Sequence, residues 1–383
     1  VGSWPGTGSI TAVVRGHRPS ASEPPSSPAR ATASISPPPM PSSSVWLVLA
    51  VLAGAHLRPS AAGYTPPSKY LIVTNARNGT IGYLKLPRPG ENYSEVQPLV
   101  AHGLGHPQGI AVDQKRQLLI VADSDLRKVV SYGLLARDDG TLAVDEQTPL
   151  AENVDTRWVA VDGPGNVYFS DELGGKLLKI SAKQILDGDT RSQPVYPAPN
   201  APVAPLISAP GGIATDNFHV YWVNKNDGQK LGTVVKVLEN GTDGNASLPS
   251  WQTQVLSKNL NKAYGMCLAI DNVWFTDTNN NLFAVKTNGG EVMTVSTRLQ
   301  NPRGCTWDGE GTMYVADRTA NGIFAFDGPM VRLSVGSSEA PLRHVAHFED
   351  AFGLAVFSGA YFMRLPAALC LVLAVAQALM QRF

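Results

Sequence analysis

The sequence predicts an all-β fold, a six-bladed β-propeller of four-stranded antiparallel blades, because a short β-prone run ending in Asp or Asn recurs at blade-like spacing. Such runs, of which VYFSD is one, end at Asn75, Asp123, Asp171, Asn224, Asp277 and Asp317, and successive ends lie 40 to 53 residues apart. Each run after the first follows an upstream strand, and the runs precede a polar turn and further short strands. A lone sheet of this kind leaves both faces uncovered, whereas radial stacking buries both.

The two ends of the repeat complete each other. The first unit, YLIVTN, lacks the upstream strand that the other units have. A matching strand, DAFGLAVFSG, stands at 350–359, where Gly353 takes the position of Gly109 and Gly304. Pairing this C-terminal strand with the N-terminal strands removes the exposed edge of an open array. We therefore expect a closed propeller over 63–359, with no helix in it.

Individual blades resemble those of the NHL and YWTD propeller families, the latter of the low-density-lipoprotein-receptor-like or TolB-like type. The segment GIATDNFHVYWVN (212–224) resembles the YWTD pattern, with Asn224 where that family has Asp. The segments HPQGIAVD (106–113) and NPRGCTWD (301–308) resemble NHL blade openings. The resemblance covers roughly 70–359 and implies the fold rather than an activity, because such blades serve many functions.

The acid or amide that ends each repeated run is predicted to be structural. Its position holds Asp four times and Asn twice, which suits an acceptor of backbone hydrogen bonds better than a group that needs negative charge. The family resemblance implies the same role, since there this residue ties neighbouring blades together.

The residues that open the inner strands are the better candidates for a binding site. They are predicted to ring one mouth of the channel: Gln108, Arg157, Gly211, Tyr264, Arg303 and Phe352. The two arginines could grip a carboxylate or phosphate bidentately, or they could stack on neighbours and pair with acids such as Asp155. Trp158 stands where five blades have Gly, so it must project into the mouth or force a local shift. The predicted ligand site comprises Gln108, Arg157, Trp158, Tyr264, Arg303 and Phe352.

An enzyme of the lactonase or strictosidine-synthase-like kind, a hydrolase or lyase with calcium in the channel, is the alternative. Acids do close four inner strands, at Asp113, Asp162, Asp216 and Asp308, but their shared repeat position is typical of turns. Histidines around a channel zinc are not expected, because the blade openings offer only His106. We predict no catalytic residue, metal or cofactor, with Ca²⁺ only under the alternative.

Three cysteines are too few for a disulfide scaffold. Cys267 and Cys305 lie at similar heights on consecutive inner strands, where either a bridge or two buried thiols would fit. A Cα separation above about 7 Å would exclude the bridge. Cys370 belongs to the C-terminal tail.

The termini and sequons predict a compartment outside the cytosol. Residues 1–39 look like a leader or disordered extension, 40–62 like a signal peptide, and 360–383 like a hydrophobic tail, either a glycolipid (GPI) anchor signal or a single membrane helix. Four N-glycosylation sequons, at Asn78, Asn92, Asn240 and Asn245, agree with that compartment. The net charge of +0 gives no reason to expect nucleic acid as a partner. We expect a cell-surface or endomembrane-lumen glycoprotein, membrane-tethered through its tail, that binds an extracellular protein or glycan.

Overall fold

The computed structural model describes residues 67–88, 90–197, 206–225, 232–239, 253–328 and 340–359, except for the side chain of Asn259. The predicted leader, signal peptide and C-terminal tail lie outside these residues. Within them, no helix is both long enough and apolar enough to cross a membrane.

The described residues form six antiparallel sheets, one for each predicted blade. Blade 1 holds β1 (Lys69–Asn75), β2 (Thr80–Lys85) and β3 (Gln97–Val100), and blade 2 holds β4 (Pro107–Asp113), β5 (Leu118–Asp123), β6 (Lys128–Ala136), β7 (Leu142–Val144) and β8 (Thr148–Glu152). Blade 3 holds β9 (Thr156–Val161), β10 (Val167–Asp171), β11 (Lys176–Ile180), α1 (Ala182–Asp187) and β12 (Gln193–Tyr196), and blade 4 holds β13 (Pro210–Thr215), β14 (His219–Asn224), β15 (Gly232–Leu238) and β16 (Gln254–Leu260). Blade 5 holds β17 (Ala263–Ala269), β18 (Asn272–Asp277), β19 (Leu282–Lys286) and β20 (Met293–Ser296), and blade 6 holds β21 (Pro302–Trp307), β22 (Thr312–Asp317), β23 (Gly322–Asp327) and β24 (Arg343–His347). The last strand, β25 (Ala351–Ser358), belongs to blade 1.

Closure of the ring is confirmed. Strand β25 pairs antiparallel with β1, from Lys69 opposite Ser358 to Asn75 opposite Ala351. It also packs beside β21 of blade 6 and β4 of blade 2, so it lies where an inner strand of blade 1 must lie. The blades therefore form a ring in which the first and last parts of the repeat share one sheet.

Hydrophobic contacts between consecutive blades hold the ring together. One buried cluster joins Tyr221 and Val223 of blade 4 to Val273 and Phe275 of blade 5. The second strand of each blade is buried on both faces, as it is in Leu119–Ala122 of β5. Such continuous apolar runs follow because each blade is covered on both sides by its neighbours.

The expectation of a body without helix is wrong at one point. Helix α1 follows β11 in blade 3, and its N-terminus is closed by a capping box in which Ser181 and Gln184 each bond the backbone of the other. Gly188 ends the helix in the left-handed conformation, at φ 69°. These cap residues stabilise a single turn too short to show a 3.6-residue apolar period. Blade 2 also departs from four strands, since β6 pairs with both β7 and β8.

Each inner strand carries a β-bulge next to its first residue. On β4, Pro107 lies opposite Asp123 of β5, and Ile110 lies opposite Val121. An advance of three residues along β4 therefore corresponds to two residues along β5, so β4 carries one extra residue. The other five blades show the same shift at the same place. A bulge bends its strand and re-aims the side chains within it. The bulged residues are the ones that the sequence places at the channel mouth.

The repeated glycine lies within the bulge, where neighbouring inner strands approach closely. A Cβ on Gly265 would overlap the carbonyl oxygen of Arg303 on the next blade. A Cβ on Gly109 would lie 2.6 Å from the Cα of Trp158. At these positions glycine is required by backbone approach between blades rather than by its φ angle.

Candidate functional site

The channel mouth, defined here as Gln108, Arg157, Trp158, Gly211, Tyr264, Arg303 and Phe352, is built by the second residue of every inner strand together with Trp158. The bulges set these residues at the start of β4, β9, β13, β17, β21 and β25. The side chains of Tyr264, Arg303, Phe352 and Trp158 meet in one continuous set of contacts. For Gln108, the structure shows a buried residue whose carbonyl accepts a hydrogen bond from Thr74 at 2.8 Å.

Aromatic rings enclose the guanidinium group of Arg303. Its Cζ lies 3.9 Å from the ring centroid of Tyr264 and 5.8 Å from that of Phe352, residues at the equivalent position of the two adjacent blades. Only 6% of Arg303 is exposed. Burial lowers the pKa of Arg303 to about 10. The rings contribute cation–π attraction in place of the water that the charge has lost.

Trp158 fills space that glycines leave open. Its ring lies over Gly109, where a Cβ would come within 2.9 Å of Trp158 Cε3, and packs against Phe352 at a centroid distance of 5.6 Å. Trp158 and Phe352 belong to one buried hydrophobic cluster. The indole Nε1 is buried and has no hydrogen-bond partner within the described ranges. Trp158 thus links blade 3 to blade 1 across the inner strand of blade 2.

Arg157 is held in an ion-pair network rather than left open to a ligand. Its Nε lies 2.7 Å from Glu172, and its Nη2 lies 3.1 Å from Asp155. Glu172 also accepts from Lys225 at 2.6 Å, and Lys225 lies 5.3 Å from the ring of Tyr264. Burial lowers the pKa of Lys225, while Glu172 opposes that shift. Of the two roles considered for Arg157, pairing with acids is the one that the structure shows.

A second ion-pair network, which the sequence did not indicate, borders Phe352. Arg318 lies 2.5 Å from Asp350 and 5.9 Å from the Phe352 ring. Asp350 is buried and is also 3.6 Å from Arg77. Arg318 and Arg77 come from loops after the second strands, so no repeat position marks them in advance.

The repeated acids and amides accept backbone hydrogen bonds in the loops. Asp123 accepts from the amides of residues 105, 106, 125 and 126, and Asp317 from those of residues 300, 301 and 320. Asn75, Asp171, Asn224 and Asp277 each accept from one or more nearby backbone amides in the same way. This is the bonding expected of loop-closing acceptors.

Buried hydroxyl groups next to these acids tie neighbouring blades together. Thr276 Oγ1 accepts from the amide of Gly265 at 3.1 Å and donates to the carbonyl of Arg303 at 2.8 Å. Thr74 makes the same bridge between Gly353 and Gln108. The bridge satisfies backbone groups that the bulge leaves unpaired. It also fixes the backbone from which the Arg303 side chain projects.

The acids that close the inner strands also serve turns. Asp113, Asp162, Asp216 and Asp308 each accept from amides two to four residues ahead. Within the described ranges, no group of three or more His, Cys, Asp or Glu side chains is arranged to hold a metal ion.

Cys267 and Cys305 form a disulfide between blades 5 and 6, with their Cα atoms 5.6 Å apart. Of the sequons, Asn78 lies exposed in the turn between β1 and β2, and Asn92 lies exposed in the loop before β3. Asn240, Asn245 and Cys370 lie outside the described residues.

Comparisons with known proteins support the propeller fold. No family model matches the sequence, and no curated protein matches it, so the NHL or YWTD type is not confirmed. A solved structure of a nidogen/laminin complex contains a chain similar to this one, with a TM-score of 0.56 and 15% identity, covering 76% of this chain and 99% of that chain. A candidate 6-phosphogluconolactonase of Bacteroides fragilis has a TM-score of 0.49 and 14% identity, covering 77% and 99%. The virginiamycin B lyase of Staphylococcus aureus has a TM-score of 0.41 and 15% identity, covering 63% and 69%.

Proposed function

We propose that this chain is a binding protein of the secretory pathway, tethered to a membrane through its C-terminal tail, that recognises an extracellular protein or glycan with the channel mouth and the loops around it. The observation that carries the proposal is the set of aromatic and cationic side chains that four blades bring together at the mouth. Aromatic and arginine side chains are enriched among the residues that contribute most to protein binding.

Exposed leucines beside the mouth favour a protein partner. Leu173 directly follows Glu172 of the ion-pair network and is 80% exposed. Leu126 takes the equivalent loop of blade 2 and is 36% exposed. Apolar side chains around a polar centre suit a protein surface. The nidogen/laminin complex is a case in which a protein with a similar chain takes part in a protein complex. The calcium-enzyme alternative stays a prediction.

Photo-crosslinking on the cell surface tests this function. A photoreactive amino acid replaces Leu173 on the mouth side or, as a matched control, Phe218, which is 70% exposed in the loop at the opposite end of blade 4. We expect a discrete crosslinked partner from position 173 and none from position 218. Equal products from both positions, or none from position 173, would contradict the proposed binding face. Release of the chain by a phospholipase that cleaves glycolipid anchors distinguishes such an anchor from a membrane helix.

A further inference from the structure

Arg303 differs from the other cations in and next to the channel mouth because it has no acid partner among the described residues. Arg157, Lys225 and Arg318 each pair with a carboxylate. Arg303 forms no ion pair with any described residue, and its Nη1 donates to the carbonyl of Pro302 at 3.1 Å. Its Nε is fully buried and has no hydrogen-bond partner in the described part of the chain. A buried donor without a partner is costly, so this edge of the guanidinium needs an acceptor.

The surroundings hold that guanidinium edge in a fixed orientation. The Tyr264 ring centroid lies 3.9 Å from Arg303 Cζ, and the Phe352 ring centroid lies 5.8 Å from it. Thr276 fixes the Arg303 carbonyl at 2.8 Å. A planar group packed against aromatic rings loses less freedom on binding than a flexible one, which favours bidentate recognition.

We propose that the Nε edge of Arg303 binds one carboxylate group of the partner, an inference that rests on the proposed binding function. The guanidinium fork matches the geometry of a carboxylate, and stacking leaves it desolvated, where charged hydrogen bonds are strong. The described charged groups that act electrostatically on Arg303 include the cation Arg318 and the acids Asp317 and Asp350. Because the exposed leucines favour a protein partner, whose unmodified anionic groups are carboxylates, a carboxylate is favoured over a phosphate.

Short peptides test the carboxylate directly, with binding to the full-length protein followed by saturation-transfer NMR. Acetyl-Leu-Glu-Leu-amide presents a side-chain carboxylate, acetyl-Leu-Gln-Leu-amide is its neutral match, and acetyl-Leu-Gln-Leu with a free carboxyl end presents a terminal one. Inorganic phosphate is added separately to test whether the site prefers a dianion. The variants are R303M, R303K and, as a control, R343M, whose side chain is 54% exposed on the outer strand β24.

We expect one or both carboxylate peptides to bind, and the neutral peptide and R303M each to weaken that binding about 10- to 100-fold, as for a lost charged hydrogen bond. R303K keeps the charge but not the fork and should recover only part of the affinity, while R343M should match the wild type. Preference between the two acidic peptides identifies the source of the carboxylate. The inference fails if acid and neutral peptides bind alike, if no peptide binds the wild type, if R303M binds normally, or if phosphate binds more tightly. A crosslinked partner at position 173 would still support the binding function in each case.

Discussion

Replacing Arg303 by Met should make the protein more stable, because the buried charge costs more than its contacts return. Burial lowers the pKa of Arg303 from 12.5 to about 10. At 1.36 kcal/mol for each pKa unit, the folded state loses roughly 3 kcal/mol by keeping this group charged. Stacking on Tyr264 and Phe352 offsets roughly 1–2 kcal/mol of that loss. Met keeps much of the volume without the charge, so R303M should gain about 1–2 kcal/mol.

The direction of the pKa shift of Arg303 sets the pH range over which R303M should be more stable than the wild type. The folded pKa is lower than the unfolded pKa, so the cost applies in full at any pH below about 10. Between pH 5 and pH 9 the gain should therefore be constant. For a domain of this size, about 1–2 kcal/mol corresponds to a rise in Tm of roughly 2–6 °C.

Arg157 occupies the position in blade 3 that Arg303 occupies in blade 6, and its replacement by Met should lower stability instead of raising it. R157M would leave Asp155 unpaired and Glu172 with Lys225 alone, so it should lower stability by about 1 kcal/mol or more. Differential scanning calorimetry of the wild type and both variants, in one buffer at pH 7, measures both changes. If R303M melts below the wild type, or if the two variants shift Tm alike, Arg303 stabilises the fold and its burial carries no net cost.

Three further changes test the interblade contacts. G265A should lower the free energy of unfolding by more than about 3 kcal/mol, because the new Cβ would overlap backbone atoms of the next blade. G163A should lower it by under about 1 kcal/mol, because its new Cβ meets the side chain of Asn217. Urea titration of both variants measures the difference. T276V should cost about 1–3 kcal/mol through two unpaired backbone groups, and amide hydrogen exchange at residue 265 should accelerate. C267A opens a link across 38 residues and should cost about 3–4 kcal/mol, whereas an unchanged Tm would show that the bridge contributes nothing.

Sequence reasoning recovered the parts of the structure that the repeat itself encodes. Blade number and ring closure follow because every second strand must be buried on both faces, which leaves a spaced apolar run ending in Asp or Asn. The sequence predicts the glycine but not the bulge that contains it, because the same one-residue slip in every blade leaves the spacing between repeats unchanged. Glu172, Lys225 and Arg318 were missed for a different reason. They lie in loops after the second strands, and only the folded chain shows where those side chains point.

The same backbone features that define the blade leave the mouth open to variation. The bulge recurs at the start of all six inner strands whatever the side chain in the second position, which is Gln, Arg, Gly, Tyr, Arg and Phe in turn. Side chains that the fold does not require are available for recognition. Arg303 is the strongest case, because its charge is enclosed at a cost to stability and has no acid partner among the described residues. The proposed carboxylate ligand would give that charge the partner that the described part of the ring does not supply.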